Sequence, residues 1–101
     1  MASSKEYLDF VLEQLSDLPD ISSRPMMGEY VIYYRGKVVG GIYDDRFLVK
    51  PTASAKKLLP DGVSELPYPG AKEMLMADID DRGLLNRLIP AIADDLPAPK
   101  K

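Results

Sequence analysis

Ser23-Arg24-Pro25-Met26-Met27-Gly28-Glu29-Tyr30 runs straight into Val31-Ile32-Tyr33-Tyr34. The second half of this stretch is β-branched and aromatic, the composition that suits a pleated, half-buried strand. Ahead of it stand a cation, a proline, two methionines and a glycine, a combination that generic strand chemistry does not call for. Pro25 cannot donate a backbone hydrogen bond, so a strand over Ile21 to Met27 is confined to a sheet edge or a bulge, with Gly28-Glu29 as the turn after it. Tyr30 to Tyr34 forms the next strand, Arg35-Gly36 a tight turn, and Val38 to Tyr43 a third strand. Asp44-Asp45 then turns the chain into a fourth, Arg46 to Lys50. Gly40-Gly41 inside the third strand weakens it and predicts a bulge or a close approach by another backbone or side chain. Together these segments make an antiparallel meander.

Helical patterns lie on either side. Ser3-x-x-Glu6 has the spacing of a capping box. Tyr7, Leu8, Val11, Leu12, Leu15 and Leu18 then share one face, with Glu13, Gln14 and Asp17 opposite, which predicts a helix over residues 4–16. Thr52 is a credible cap for a short helix, Ala53 to Leu59, closed by Pro60-Asp61-Gly62. Residues 60–73, with Pro60, Pro67 and Pro69 around Tyr68, read as a loop. Glu73 to Ile79 reads as a strand with Met74 and Met76 on one face and Leu75 and Ala77 on the other. Asp80 or Asp81 caps a last helix that carries Leu85, Leu88, Ile89, Ile92 and Leu96 at helical spacing. A proline inside a helix costs about 3 kcal/mol, so Pro90 predicts a kink or two shorter helices. Residues 97–101 read as a frayed tail. The fold expected is α+β: one two-layer domain over residues 1–101, an antiparallel sheet with N-terminal, short central and C-terminal helices.

Composition narrows the chemistry. The chain has 101 residues, 46% of them apolar, enough for one domain with a real core. Thirteen basic and 16 acidic residues give a net charge of -3 without a basic block, which argues against a nucleic-acid partner held by phosphate contacts. The absence of Cys and His removes zinc sites of the usual kind, thiol nucleophiles, disulfides and imidazole acid–base catalysis. The N-terminal residues lack the apolar run of a signal peptide, and no stretch approaches membrane-spanning length. The expectation is a cytoplasmic protein with no membrane association.

Motif by motif, cofactor and catalytic readings fall away. Gly36-x-x-x-x-Gly41 has the spacing of a phosphate loop, but Ile42 stands where the lysine must be and no helix follows. Tyr33-Tyr34-Arg35-Gly36-Lys37 could stack bases, yet Val38-Val39 does not continue the aromatic alternation such a sheet needs. Asp78-x-Asp80-x-Arg82-Gly83 imitates the start of a calcium loop and then offers Arg82 and Ile89 where oxygen ligands are required. Asp44-Asp45 and Asp94-Asp95 are explained by a turn and by a helix end. No nucleophile pattern is present. The chain is therefore read as not an enzyme, with no metal and no cofactor.

Arg24 is the sharpest single residue. It reads either as an anion or carboxylate clamp on a rigid strand beside Glu29 and Tyr30, or as a structural cation. In the second case its guanidinium pairs with Glu29 or a carbonyl while its stem covers the sheet. Met26 and Met27 form an adaptable contact surface or fill gaps in the core.

Several further marks accompany the opening stretch: Gly36-Lys37-Val38, Asp44-Asp45-Arg46-Phe47, Lys50-Pro51-Thr52 and Tyr68-Pro69-Gly70-Ala71-Lys72. In this order and spacing they resemble the TfoX/Sxy N-terminal domain family, from about Tyr7 to Leu96. The resemblance implies a small α+β domain with an antiparallel sheet flanked by helices. Members of the family include regulators of bacterial competence for DNA uptake in which a second domain follows, and this chain reads as a stand-alone member. Met27 stands where an aromatic is common, which alters any surface formed by that motif. The family supplies no catalytic residue to carry over.

The function expected is a regulatory or adaptor domain that contacts another protein, with a homodimer as one arrangement. Arg24, Met26, Met27, Glu29, Tyr30, Lys50 and Tyr68 are its candidate surface, and the exposed edge around Ile21 to Met27 suits strand addition or self-pairing. The alternative is a small-molecule or anion sensor in which Arg24, Lys50 and Tyr68 converge over one end of the sheet.

Overall fold

Ser4 starts the first helix: its hydroxyl oxygen accepts the Tyr7 N–H at 3.1 Å, satisfying an amide that the first turn leaves without a partner. The computed structural model describes residues 4–26, 29–60 and 62–97. Helix α1 spans Lys5–Gln14. The cap is thus one position later than the spacing from Ser3 suggested, and Ser3 lies outside the described residues. Ser4 also donates its own N–H to Asp45 Oδ1 at 2.9 Å, so a distant turn fills the place expected of Glu6.

The strands β1 (Ile21–Met26), β2 (Glu29–Tyr34), β3 (Lys37–Ile42) and β4 (Phe47–Val49) form the expected antiparallel meander. Glu29 is the first residue of β2, opposite Met26, rather than part of the turn. Met27 and Gly28 lie outside the described residues. Arg35 and Gly36 take φ of 53° and 79°, and Asp44 and Asp45 take 53° and 55°. Positive φ at both central positions gives a two-residue turn whose hand matches the twist of the strands it joins. Asp44-Asp45 is closed at both ends, by Tyr43 N–H to Arg46 O at 2.9 Å and Arg46 N–H to Tyr43 O at 3.1 Å.

Gly40-Gly41 meets both expectations. Ile32 opposes Gly40 and Tyr33 opposes Val38, so Val39 is the extra residue of a bulge. A Cβ on Gly40 would collide with the Leu48 carbonyl oxygen, and one on Gly41 would sit 2.6 Å from the Tyr43 ring. The strands can pack this closely only because both positions lack a side chain.

Helix α2, Ala53–Leu58, is capped by Thr52, whose hydroxyl accepts the Ala55 N–H at 3.2 Å. The segment expected to be loop alone contains a short strand, β5 (Ser64–Glu65), paired antiparallel with β6 (Met74–Met76). Two residues are too few to show an alternation, so nothing in the pattern marked it. The sheet order is β1-β2-β3-β4-β6-β5, with β6 antiparallel to both neighbours. β1 is therefore one edge of an open six-stranded sheet.

Helix α3 runs Arg82–Asp95 from an Asp81 cap, whose carboxylate accepts the Leu84 N–H at 3.0 Å. Pro90 lies inside it: of the expected kink or division, the division into two helices does not occur. Leu85, Leu88, Ile89 and Ile92 are fully buried, each contributing roughly 1.5–3 kcal/mol, so their sum outweighs the cost of one proline. These residues pack with Leu8 and Val11 of α1, Leu15 at its C-cap and Ala55 of α2 against Ile32, Ile42, Phe47 and Val49 of the sheet. The helices thus line one face, and the chain is an α+β domain.

Candidate functional site

The hydrogen-bond phase of β1 decides what its edge offers. Arg35 N–H donates to Asp20 O at 3.1 Å, which makes the pair just outside the β1–β2 ladder a bonded one. Antiparallel pairs alternate between bonded and non-bonded. Opposite Tyr33, Val31 and Glu29, the residues Ser22, Arg24 and Met26 therefore turn their backbone groups inward to β2. Ile21, Ser23 and Pro25 turn theirs outward. The prolyl nitrogen has no hydrogen to donate, and it stands where no ladder bond is lost. This explains how a proline fits inside the strand.

Side chains follow the same alternation. Ile21 packs against the core, whereas Arg24 and Met26 are exposed on the face away from the helices, Met26 at 44%. The Arg24 guanidinium lies 5.9 Å from the centroid of the Tyr33 ring, within the range of an attractive cation–π contact. Among the described residues no ion pair joins Arg24 to a carboxylate. Glu29 shares this face of the hairpin, and its carboxylate accepts the Asp44 N–H, tying the start of β2 to the β3–β4 turn.

The other candidates are dispersed. Tyr30 pairs with Pro25 and Ile42 and packs, half-buried, against the core on the helix face, opposite Arg24. Lys50 follows β4, three strands from β1, and donates its backbone N–H to Val39 O at 3.0 Å. Tyr68 is 55% exposed, with its ring 6.3 Å from that of Tyr43. Met27 lies outside the described residues. The structure therefore brings Arg24, Met26 and Glu29 together along one rim, with Tyr33, a residue the sequence reading had not placed there.

Arg46 holds the proline-rich loop near this face. Its guanidinium donates to Tyr43 O at 3.2 Å and Leu66 O at 3.3 Å and pairs with Glu65 at 3.7 Å. Burial pushes the Tyr43 phenol above its ordinary pKa, with Tyr68 and Glu29 adding to the shift.

A separate cleft of about 530 Å³ opens at the other end of the molecule, lined by Tyr7, Leu58, Leu59, Val63, Met76 and Ile79 among others. Burial also raises the Tyr7 phenol, against a backbone hydrogen bond at Phe47 that lowers it. Asp78, at the rim, accepts the Asp80 N–H at 3.0 Å, the short-range turn bond expected of such a carboxylate. No group of three or more acidic residues able to hold a metal ion occurs among the described residues. None of the described helices is long and apolar enough to cross a membrane.

An open antiparallel sheet with helices on one face and a proline-bearing edge strand defines the class of domain. Residues 13–84 match the model of the TfoX N-terminal domain, and the chain belongs to that family. It is 35% identical over 102 residues to an uncharacterized 12.7 kDa protein in the trpE 5′ region of Spirochaeta aurantia, covering 99% of this chain and 89% of that relative. No solved structure matches the chain.

Proposed function

We propose that this protein is a non-enzymatic, cytoplasmic regulatory or adaptor domain that acts by binding another protein. The observation that carries the reading is the β1 rim. It is an open sheet edge whose outward backbone groups are unused by the ladder, beside an exposed methionine and a cation with no ion pair among the described residues. Edges of this kind recognise extended chains through backbone hydrogen bonds, with side chains supplying selectivity. Family membership supports a regulatory role, such as that of competence regulators.

Affinity capture from the native cytoplasm, followed by mass spectrometry, tests the reading. Wild type should retain a partner that Arg24→Ala loses, while the two melt at nearly the same temperature. Equal retention by both would remove the rim from the account.

The cleft favours a second reading as a small-molecule sensor. Its lining is mostly apolar, with the Tyr7 phenol beside it, the composition common to ligand sites. A metabolite that raises the melting temperature of wild type, but not of Met76→Trp, would establish it.

A further inference from the structure

We infer that the β1 rim accepts an extended acidic segment of another protein, added antiparallel to β1 with a carboxylate directly opposite Arg24; the inference rests on the protein-binding role proposed above. Ile21 and Ser23 each present an outward N–H and C=O, and Pro25 presents its carbonyl alone. An added strand would thus form bonded pairs at these three positions and lack one bond, the one Pro25 cannot donate.

The same phase settles the side chains. Arg24 turns its backbone inward, so the residue facing it on an added strand occupies a non-bonded pair. At such pairs the Cα atoms approach to about 4.5 Å and side chains lie closest. The guanidinium is already held over the Tyr33 ring and has no ion pair among the described residues. An Asp or Glu at that position completes it, whereas a Lys or Arg is repelled.

A second copy of this chain fits less well. Pairing β1 with itself about Ser23 sets Pro25 opposite Ile21 of the other copy, leaving that Ile21 carbonyl without a donor on each side. It also sets Ser22, not an acid, opposite Arg24. Pairing about Arg24 instead sets the two guanidinium groups opposite one another, and pairing about Ser22 leaves Pro25 outside the ladder and offers Arg24 only Asp20, a turn residue at φ 64° already beside Arg35. Proline and charge are the devices by which edge strands resist indiscriminate pairing. Here they discriminate against self and in favour of an acidic strand, since rejecting one partner is part of selecting another.

The test pans a displayed library of random heptapeptides against the immobilised protein and measures the enriched sequence as a synthetic peptide by fluorescence anisotropy. The expected peptide has an acid at one fixed position. Its binding should weaken roughly tenfold with Arg24→Glu and recover when that acid becomes Lys, the size expected when a cross-strand attraction becomes a repulsion. Methylating the peptide nitrogens that face Ile21 and Ser23 should abolish binding to the unaltered protein, a readout independent of how any variant folds. Enriched peptides without an acid, or indifference to Arg24→Glu in a variant with a native amide spectrum, would overturn the proposal. Peptides whose amide shifts map away from β1 would also overturn it and leave a protein-binding role standing. A dimer in light scattering that Ser23→Pro dissociates would assign the rim to a second copy instead.

Discussion

The Lys37 ammonium donates to the Ala93 carbonyl oxygen across 2.8 Å and reaches the Leu96 carbonyl at 3.2 Å. A cation from the first position of β3 thus closes the C-terminal end of α3, where helix carbonyls have no intrahelical partner and carry partial negative charge. The sheet and its longest helix are joined by this contact as well as by packing.

Lys37→Met keeps the stem and removes the donors. Loss of partly buried, charge-assisted hydrogen bonds should lower stability by about 1–3 kcal/mol. Urea titration followed by circular dichroism measures it, and an unchanged midpoint would show that water replaces the ammonium without cost.

Asp95 makes a second link of this kind. Its carboxylate accepts the Ser54 N–H at 2.8 Å, and this bond, with hydrogen bonds from the Ser54 and Thr52 hydroxyls, holds its pKa below the ordinary value. A lowered folded pKa contributes stability that is present above the unfolded pKa and lost as pH falls through the folded one. Asp95→Asn should therefore be less stable than wild type at neutral pH and converge with it in acid. Melting temperatures across the acid range would show the two curves meeting; parallel curves would rule the linkage out.

Gly40→Ala should destabilise the fold by about 1–3 kcal/mol or more, as overpacking does where the contact is backbone and cannot swing away. A Cβ there meets the Leu48 carbonyl, which is fixed in the β3–β4 ladder. Gly83→Ala is the control, because the nearest atom to its Cβ is Asp81 Oδ1 at 3.8 Å. That change should stabilise by about 0.5–1 kcal/mol through helix propensity. Thermal melts of the two variants must move in opposite directions.

Pro90→Ala restores an N–H that the Asn86 carbonyl can accept inside α3. The buried residues on both sides already hold the helix in one piece. The substitution should accordingly raise stability by about 1–3 kcal/mol. A drop instead would mean that the ring's own packing outweighs the missing bond.

Much of the fold could be inferred from local chemistry. The turns at Arg35-Gly36 and Asp44-Asp45, the bulge forecast by Gly40-Gly41, the Thr52 cap and the apolar stripe of α3 all follow from residues close together in sequence. What escaped depends on register and distance. Arg24 meets Tyr33 only because Arg24 pairs with Val31 and Ser22 with Tyr33, a diagonal that no single-strand pattern contains. Lys37 read as part of a cationic hairpin, yet its ammonium turns to the end of a helix 56 residues later. Asp95 read as a helix-end acid, and its cap on Ser54 spans 41 residues. The β5 strand is too short to announce itself. Of the candidate surface, Arg24 and Met26 fall on one face because they are two apart on a strand, while Lys50 was placed near them without knowledge of the strand order.

The Asp44-Asp45 turn receives bonds from two remote places, the carboxylate of Glu29 and the first amide of the α1 cap at Ser4. The leading helix, tied to this turn at Ser4 and to Phe47 of β4 through Tyr7, is therefore not an independent flap. Its exchange of backbone hydrogens with solvent should slow and quicken together with those of the hairpin tip, as one cooperative opening unit. Labelling in heavy water would read the beginning and the middle of the chain at one common rate.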